Sequence, residues 1–251
     1  MLTTQRKAYL LKVLKERGEI VAKEISEELE LSEDTIRRDL RELAAEGKLQ
    51  RVHGGALPSS PAIADFAARQ QIAPNGKVMV GRAAAGLVRD GQVVILDGGT
   101  TTLQLAKHLP PDLKATVVTH SPTIAVALQE HPTIEVILIG GRLFKHSVVT
   151  VGAVAVEAIS RIHADTYFMG ITGIHPKTGL TTGDLEESHI KRAMMASAAE
   201  TYALVTAEKV NAASPYVIAS LSDIDGVIVE NQLARGDLAA YKRAGLTIVQ
   251  A

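Results

Sequence analysis

Cysteine is absent from this chain, which excludes disulfides and thiolate-bound metals and fits a reducing compartment. Its apolar residues never run on long enough to cross a bilayer, and its first residues, MLTTQRKAYLLKVLKERGE, lack an apolar signal core followed by a small-residue cleavage site. A cytoplasmic protein with no membrane association is therefore expected. Charge of one sign is also missing. The net formal charge is −1, so bulk charge neither supports nor opposes a nucleic-acid partner. No strand–G-x-G-x-x-G–helix fingerprint for a dinucleotide is present, and the eight histidines fall without paired-ligand spacing. No repeat period and no low-complexity segment occurs. Neither a cofactor nor a metal is expected. What remains is 251 residues, 46% hydrophobic and 22% charged, enough for one or two globular domains.

The most informative stretch is 31–43, LSEDTIRRDLREL. Ile36, Leu40 and Leu43 lie at i, i+4 and i+7, one face of a helix. Ser32 precedes the run as a cap, while Thr35, Arg37, Arg38 and Arg41 fall largely off the apolar face. Such a helix fits the major groove, where Arg can bond a guanine edge or a phosphate in bidentate fashion. The same pattern also describes an ordinary amphipathic helix with solvated arginines, so the neighbouring segments matter. An apolar stripe at Tyr9, Leu10, Val13 and Leu14 predicts a helix over 3–17, stopped by Gly18. A short β-prone piece, a second helix over 22–29 and a turn lead into the third helix. After Gly47, the segment KLQRVHGGAL reads as a β-ribbon that places Arg51 and His53 at its tip, with Gly54 and Gly55 permitting close backbone approach. Helix, short helix, turn, helix and ribbon is the order of a winged helix-turn-helix. Residues 1–57 hold five lysines and six arginines against two aspartates and nine glutamates, so any attraction to DNA must come from local segregation of charge.

The run TIRRDLRELAAEGKLQRVHGGA resembles the N-terminal signature of the DeoR/GlpR family of bacterial transcriptional regulators. The resemblance implies a double-stranded DNA operator as partner. It implies that Thr35, Arg37 and Arg38 touch that DNA with Arg51, His53 and Gly54 on the wing, and Ser32 serving more as cap than as base reader.

Pro58-Ser59-Ser60-Pro61 breaks the composition, which predicts a hinge over 58–61 and a tether to about residue 75. From residue 76 to 251 the pattern alternates. Helices are predicted over 77–88, 101–109, 123–130, 153–162 and 187–199. Strands are predicted over 93–96, 115–119, 134–139, 167–171, 203–206, 217–219, 227–229 and 246–249. This is the pattern of a Rossmann-like α/β domain with a largely parallel sheet. Ligands in such sheets gather at the carboxyl ends of strands. Asp97-Gly98-Gly99-Thr100-Thr101 follows the first strand and opens a helix, an arrangement suited to phosphate or, alternatively, a plain glycine turn. Small and hydroxyl residues recur at later strand ends: Thr119 and Ser121, Gly141 with Arg142, and Gly170.

The order DGGTT, VVTHS, ILIGGRL, MGITGI, EESHIKRAMM and VTAEKV also resembles the C-terminal sensor domain of the same family, a fold that resembles ribose-5-phosphate isomerase. That resemblance implies a non-catalytic receptor for a phosphorylated sugar or related metabolite. It implies Asp97, Gly99, Thr100, Thr101, Glu187, Lys191 and Lys209 as pocket residues. His120 and Thr206 depart from the family pattern, where Asn and Asp are usual. The alternatives are an isomerase-like enzyme and a nucleotide sensor. A protein reading half-sites through one small domain is expected to be a homo-oligomer, dimer or tetramer.

Overall fold

The computed structural model describes residues 2–233 and 235–251. Its N-terminal part runs α1 (Thr3–Arg17), β1 (Ile20–Val21), α2 (Ala22–Glu28), α3 (Glu33–Ala45), β2 (Gln50–Val52) and β3 (Gly55–Leu57). The apolar stripes of the helices meet in one core, in which Leu10, Ile25, Ile36, Leu40 and Leu43 are almost fully buried. Gly18 ends α1 in the left-handed conformation, and the Ser32 side chain accepts the Thr35 N–H to start α3. The three strands form an antiparallel sheet in the order β1-β3-β2. Gly55 is required there, because a Cβ would lie 1.7 Å from the Ile20 carbonyl oxygen.

Residues 58–75 do not form the free hinge and tether that their composition predicts. Ser59 bridges to Ala213, the Ala213 N–H donates to the Pro58 carbonyl, and the Ser60 hydroxyl donates to the Thr172 carbonyl. A 3₁₀ turn (Pro61–Ile63) and α4 (Phe66–Gln71) follow, with the Phe66 N–H bonded to the His146 carbonyl. Prolines here stop regular elements, as expected, but the irregular backbone satisfies its polar groups on the second domain. Next, α5 (Pro74–Ala85) begins with Pro at its first turn.

The remaining elements are β4 (Val93–Leu96), α6 (Thr100–Lys107), β5 (Thr116–Thr119), α7 (Pro122–Leu128), β6 (Glu135–Leu138), β7 (Arg142–Phe144), β8 (Val149–Val151), α8 (Ala153–Ile159), β9 (Ala164–Gly170), β10 (Gly173–His175), β11 (Gly179–Thr182), α9 (Leu185–Ala196), β12 (Ala198–Val205), β13 (Tyr216–Ala219), β14 (Gly226–Val229), α10 (Arg235–Arg243) and β15 (Thr247–Gln250). Seven strands form a parallel sheet in the order β15-β14-β12-β9-β4-β5-β6. Two apolar cores cover its faces, as continuous strand hydrophobicity demands. From β4 the chain moves outward through β5 and β6. It then returns to β9 and moves the other way. The switch point therefore lies between β4 and β9, and the crevice beyond their carboxyl ends is the expected ligand position.

One predicted member of the sheet is elsewhere. β13 pairs antiparallel with β11, which pairs with β10, in a separate three-stranded sheet. Gly179 admits this pairing, since a Cβ there would lie 2.2 Å from the Ala219 carbonyl oxygen. Arg142 begins the two-stranded β7–β8 hairpin, where a strand-end loop was predicted. Among the described residues, no helix is long and apolar enough to cross a membrane.

Candidate effector cavity and nucleic-acid interface

On the N-terminal domain, burying Ile36, Leu40 and Leu43 turns the opposite side of α3 outward. Ser32, Arg37 and Arg38 are exposed on it, with Thr35 partly so. Arg37 pairs with Glu33 at 2.6 Å, one turn back. Arg51 lies on β2, and His53 and Gly54 form the wing turn, where Gly54 has φ +81°. Arg37, Arg51, His53 and Gly54 line one shallow depression between α3 and the wing. All seven predicted DNA-facing residues thus belong to α3, its cap or the wing. Asp39 was not singled out in the sequence. It is fully buried inside α3 and pairs with the buried Arg6 of α1, whose Nη2 donates to Oδ1 at 3.0 Å. Its position three residues after Ile36, on the apolar face, was the signal that it does not meet solvent.

On the second domain, a narrow cavity opens at the β4–β9 switch point. Its floor is Gly98, Gly99 and the first turn of α6, Thr100 to Thr102. Gly99 caps α6 at φ +142° without a side-chain bond, so the first N–H groups of that helix face the cavity. Gly170 and Thr172 after β9, and Thr182 of β11, form one wall. Glu187 and Lys191 project from α9, and Lys209 from the 3₁₀ turn after β12.

Asp97 lies beneath this floor, not in its wall. It is fully buried and its oxygens are taken: Oδ1 accepts from the Gly98 N–H at 2.8 Å and meets His120 Nε2 at 3.0 Å, while Oδ2 accepts from the Gly170 N–H at 2.8 Å and from Lys191. Burial pushes this carboxyl up, but the Lys191 ammonium and the His120 hydrogen bond overcome it and hold the group well below the usual carboxylate range. Lys191 thus pairs with Asp97 and not with Glu187, one turn back on α9. Thr119 and Ser121 are likewise outside the cavity wall. The Thr119 hydroxyl donates to the Leu96 carbonyl and accepts the Ser121 N–H, tying β5 to β4. Gly141 and Arg142 are exposed on the hairpin and are not part of the wall. Of the predicted effector residues, the structure brings together Gly99, Thr100, Thr101, Gly170, Glu187, Lys191 and Lys209.

The fourth side comes from the segment read as a tether. Ala62, Arg69 and Ile72 close over the cavity, joined by Lys77 of α5. The Lys77 ammonium donates to the Arg69 carbonyl. Nε and Nη2 of Arg69 are buried with no hydrogen-bond partner, as is the Thr102 hydroxyl. Burial pulls the Arg69 guanidinium and the Lys77 ammonium below their ordinary ranges, the carboxylates of Glu187 and Glu208 respectively opposing it. Lys209 is pulled down to about 8, by burial first, and further by Lys77, Arg69 and Lys191 against the opposing Glu208. Lys191 is paired with Asp97 from beneath, but Arg69, Lys77 and Lys209 share the same small space with no carboxylate salt bridge among the described residues, and like charges so placed are costly without an anion between them. No cluster of three or more acidic or imidazole groups fit to hold a metal ion occurs among the described residues.

Comparison with known proteins assigns both domains to one family. Residues 6–61 match the DeoR-like helix-turn-helix domain, and residues 72–231 the DeoR C terminal sensor domain. The HTH-type transcriptional regulator GlpR of Haloferax volcanii is 33% identical, covering 99% of this chain and 98% of its own length. The HTH-type transcriptional repressor GlcR of Bacillus subtilis is 34% identical, covering 92% of this chain and 89% of its own. Among solved structures, ribose 5-phosphate isomerase A of Methanocaldococcus jannaschii overlaps 53% of this chain and 52% of its own, at 18% identity and a TM-score of 0.39. The chain belongs to the DeoR family of transcriptional regulators, with a winged helix-turn-helix joined to a Rossmann-like sensor domain.

Proposed function

We propose that the chain is a cytoplasmic, homo-oligomeric repressor of sugar-catabolism genes that binds a phosphorylated small metabolite in the β4–β9 cavity and is not an enzyme. The observation that carries the ligand class is the pair of buried, unpartnered Arg69 nitrogens, Nε and Nη2, set above an uncapped helix N-terminus. With Lys77, Lys191 and Lys209 beside it, the cavity has donors and positive charge for a phosphate monoester. A relative named as the glycerol-3-phosphate regulon repressor of Escherichia coli supports a phosphorylated carbohydrate or polyol. The non-catalytic reading is supported by Asp97, whose carboxylate is consumed in holding Gly98, Gly170 and Lys191 and is held ionised beneath the floor.

Occupancy would reach the DNA-binding domain by two routes. Arg69 sits on the segment that leads directly back to β3 of the wing. Thr172 and Thr182 of the cavity wall flank the β10–β11 hairpin, whose Lys177 pairs with Glu19, just before β1, at 2.7 Å. That pair is exposed and weak, of order 0–1 kcal/mol, so modest changes in the wall can break it. A ligand acts only through its different affinity for the two arrangements.

Thermal shift of the full chain against inorganic phosphate and phosphorylated sugars tests the reading; concentration-dependent stabilisation is expected, and stabilisation by nucleotides alone would overturn it. Thr100→Val with Thr101→Val should weaken phosphate binding at least about tenfold by removing two hydroxyl donors, leaving DNA binding without ligand unchanged. Equal phosphate affinity in the variant would remove these residues from the cradle. The pH profile has a defined sign. An anion raises the Lys209 pKa, so affinity is full below about 8, where Lys209 is already charged, and falls as pH rises above it. Lys209→Gln should flatten that fall between neutral and alkaline pH, as read by isothermal titration calorimetry; an unchanged slope would reassign the titrating group.

A further inference from the structure

A second chamber adjoins the first. Arg69, Glu187, Ala62 and Thr172 line both cavities, so the two meet along one boundary beneath the 58–72 segment. The second chamber, about 260 Å³, is completed by Phe144, His146 and Ser147 of the β7–β8 hairpin and by Asp184 at the start of α9. Its chemistry differs from that of the cradle. Arg69 is its one Lys or Arg side chain, and it stands on the shared boundary. The rest supplies two carboxylates, two hydroxyls, an imidazole and an aromatic ring. Ser147 is 2% exposed, and its hydroxyl has no hydrogen-bond partner. A buried hydroxyl without a partner is uncommon and costs free energy. His146 Nε2 is meanwhile bonded to the Ile63 carbonyl, which fixes the hairpin to the segment overhead.

We infer that this chamber is the subsite for the hydroxylated carbon chain of the effector, a sugar or polyol, whose phosphate occupies the Gly99–Thr101 cradle. Glu187 and the second oxygen of Asp184, whose Oδ1 caps α9, accept hydrogen bonds from the hydroxyls, the Ser147 hydroxyl exchanges a hydrogen bond with the chain, and the Phe144 ring covers its C–H face. On the boundary, Arg69 meets the phosphate-ester end and Glu187 the first hydroxyls beyond it. The segment holding Arg69 is thereby clamped from both chambers. This assignment rests on the cradle reading and goes beyond it: the cradle recognises phosphate, and the hairpin selects what the phosphate is attached to.

The test is calorimetry on the full chain with inorganic phosphate, glycerol 3-phosphate, ribose 5-phosphate, fructose 1-phosphate and glucose 6-phosphate. Inorganic phosphate does not reach the second chamber and is the control. In the unaltered chain at least one ester is expected to bind more tightly than phosphate. Ser147→Ala should cut that advantage about tenfold. It should not lower the stability of the ligand-free chain, because the hydroxyl has no partner to lose, whereas a purely structural serine would. Phe144→Ala should likewise narrow the gap between the esters and phosphate. Phosphate binding with no ester preferred to it, or an ester preference untouched by both substitutions, would overturn the second subsite while leaving the cradle standing. Failure of phosphate and every ester to bind would overturn the cradle, and the subsite with it.

Discussion

Replacing Asp39 with Ala should cost the N-terminal domain about 3–5 kcal/mol, the penalty of leaving one member of a buried ion pair without its partner. Asp39 is fully buried in α3 and Arg6 is 6% exposed in α1. Two guanidinium nitrogens of Arg6 meet the two carboxylate oxygens. With the carboxylate gone, the guanidinium must be desolvated alone or drag α1 out of the core formed by Leu10, Leu14, Ile36 and Leu40. Either outcome loosens the helix that faces DNA. Amide exchange in α1 and α3 is the measurement, because it reports each domain separately where a single melting temperature does not. Exchange should accelerate in both helices and stay unchanged in β4 and β9. Replacing Arg6 and Asp39 together by apolar residues should be much milder, since no charge is left buried. Unchanged protection in the single variant would mean that the pair does not brace the domain.

Arg37→Ala with Arg38→Ala should lower operator affinity at least about a hundredfold, since a bidentate arginine contact is worth about 1–3 kcal/mol and each DNA-binding domain loses two. Both side chains are exposed, so the fold should not change. The Arg37–Glu33 pair does not oppose this role. It is a single-turn surface pair and yields readily to a phosphate or a base. Fluorescence anisotropy at several salt concentrations separates the two arginines. One on phosphate weakens all sequences alike and reduces the salt slope by about one; one on a base relaxes preference at a single position. Retention of sequence-specific binding in the double variant would remove α3 as the reading helix. The balance of acidic and basic residues over 1–57 makes the expected loss large, because little non-specific attraction remains to hide it.

The N-terminal domain was almost wholly legible before the structure. The 3.6-residue stripe at Ile36, Leu40 and Leu43, the Ser32 cap and the Gly54-Gly55 ribbon are local patterns, and local patterns suffice for short helices and a tight turn. The strand–helix alternation gave the parallel sheet for the same reason. The Gly99–Thr101 loop that we propose as the phosphate cradle was legible as a strand end followed by a helix start. Elsewhere the pattern was silent or misleading. A β-branched run at 216–219 looks the same whether it joins the parallel sheet or pairs with β11. Asp97 follows the same strand as the Gly99–Thr101 loop and Thr119 and Ser121 end the neighbouring β5, yet their side chains turn into the protein: Asp97 holds the Gly98 and Gly170 N–H groups, Thr119 bonds the Leu96 carbonyl, and Ser121 bonds Thr123 and the Val148 carbonyl.

The sequence by itself determined a winged helix-turn-helix, a Rossmann-like domain and a phosphate-suited loop, since each follows from residues within a turn or two of one another. Only the tertiary structure decided that residues 58–72 are a packed cover carrying Arg69 into the cavity. Proline and serine composition reports that no regular element continues; it carries no information on what the irregular backbone packs against. That contact spans from Ser60 to Thr172 and from Phe66 to His146, and only folding brings such distant residues within hydrogen-bond reach.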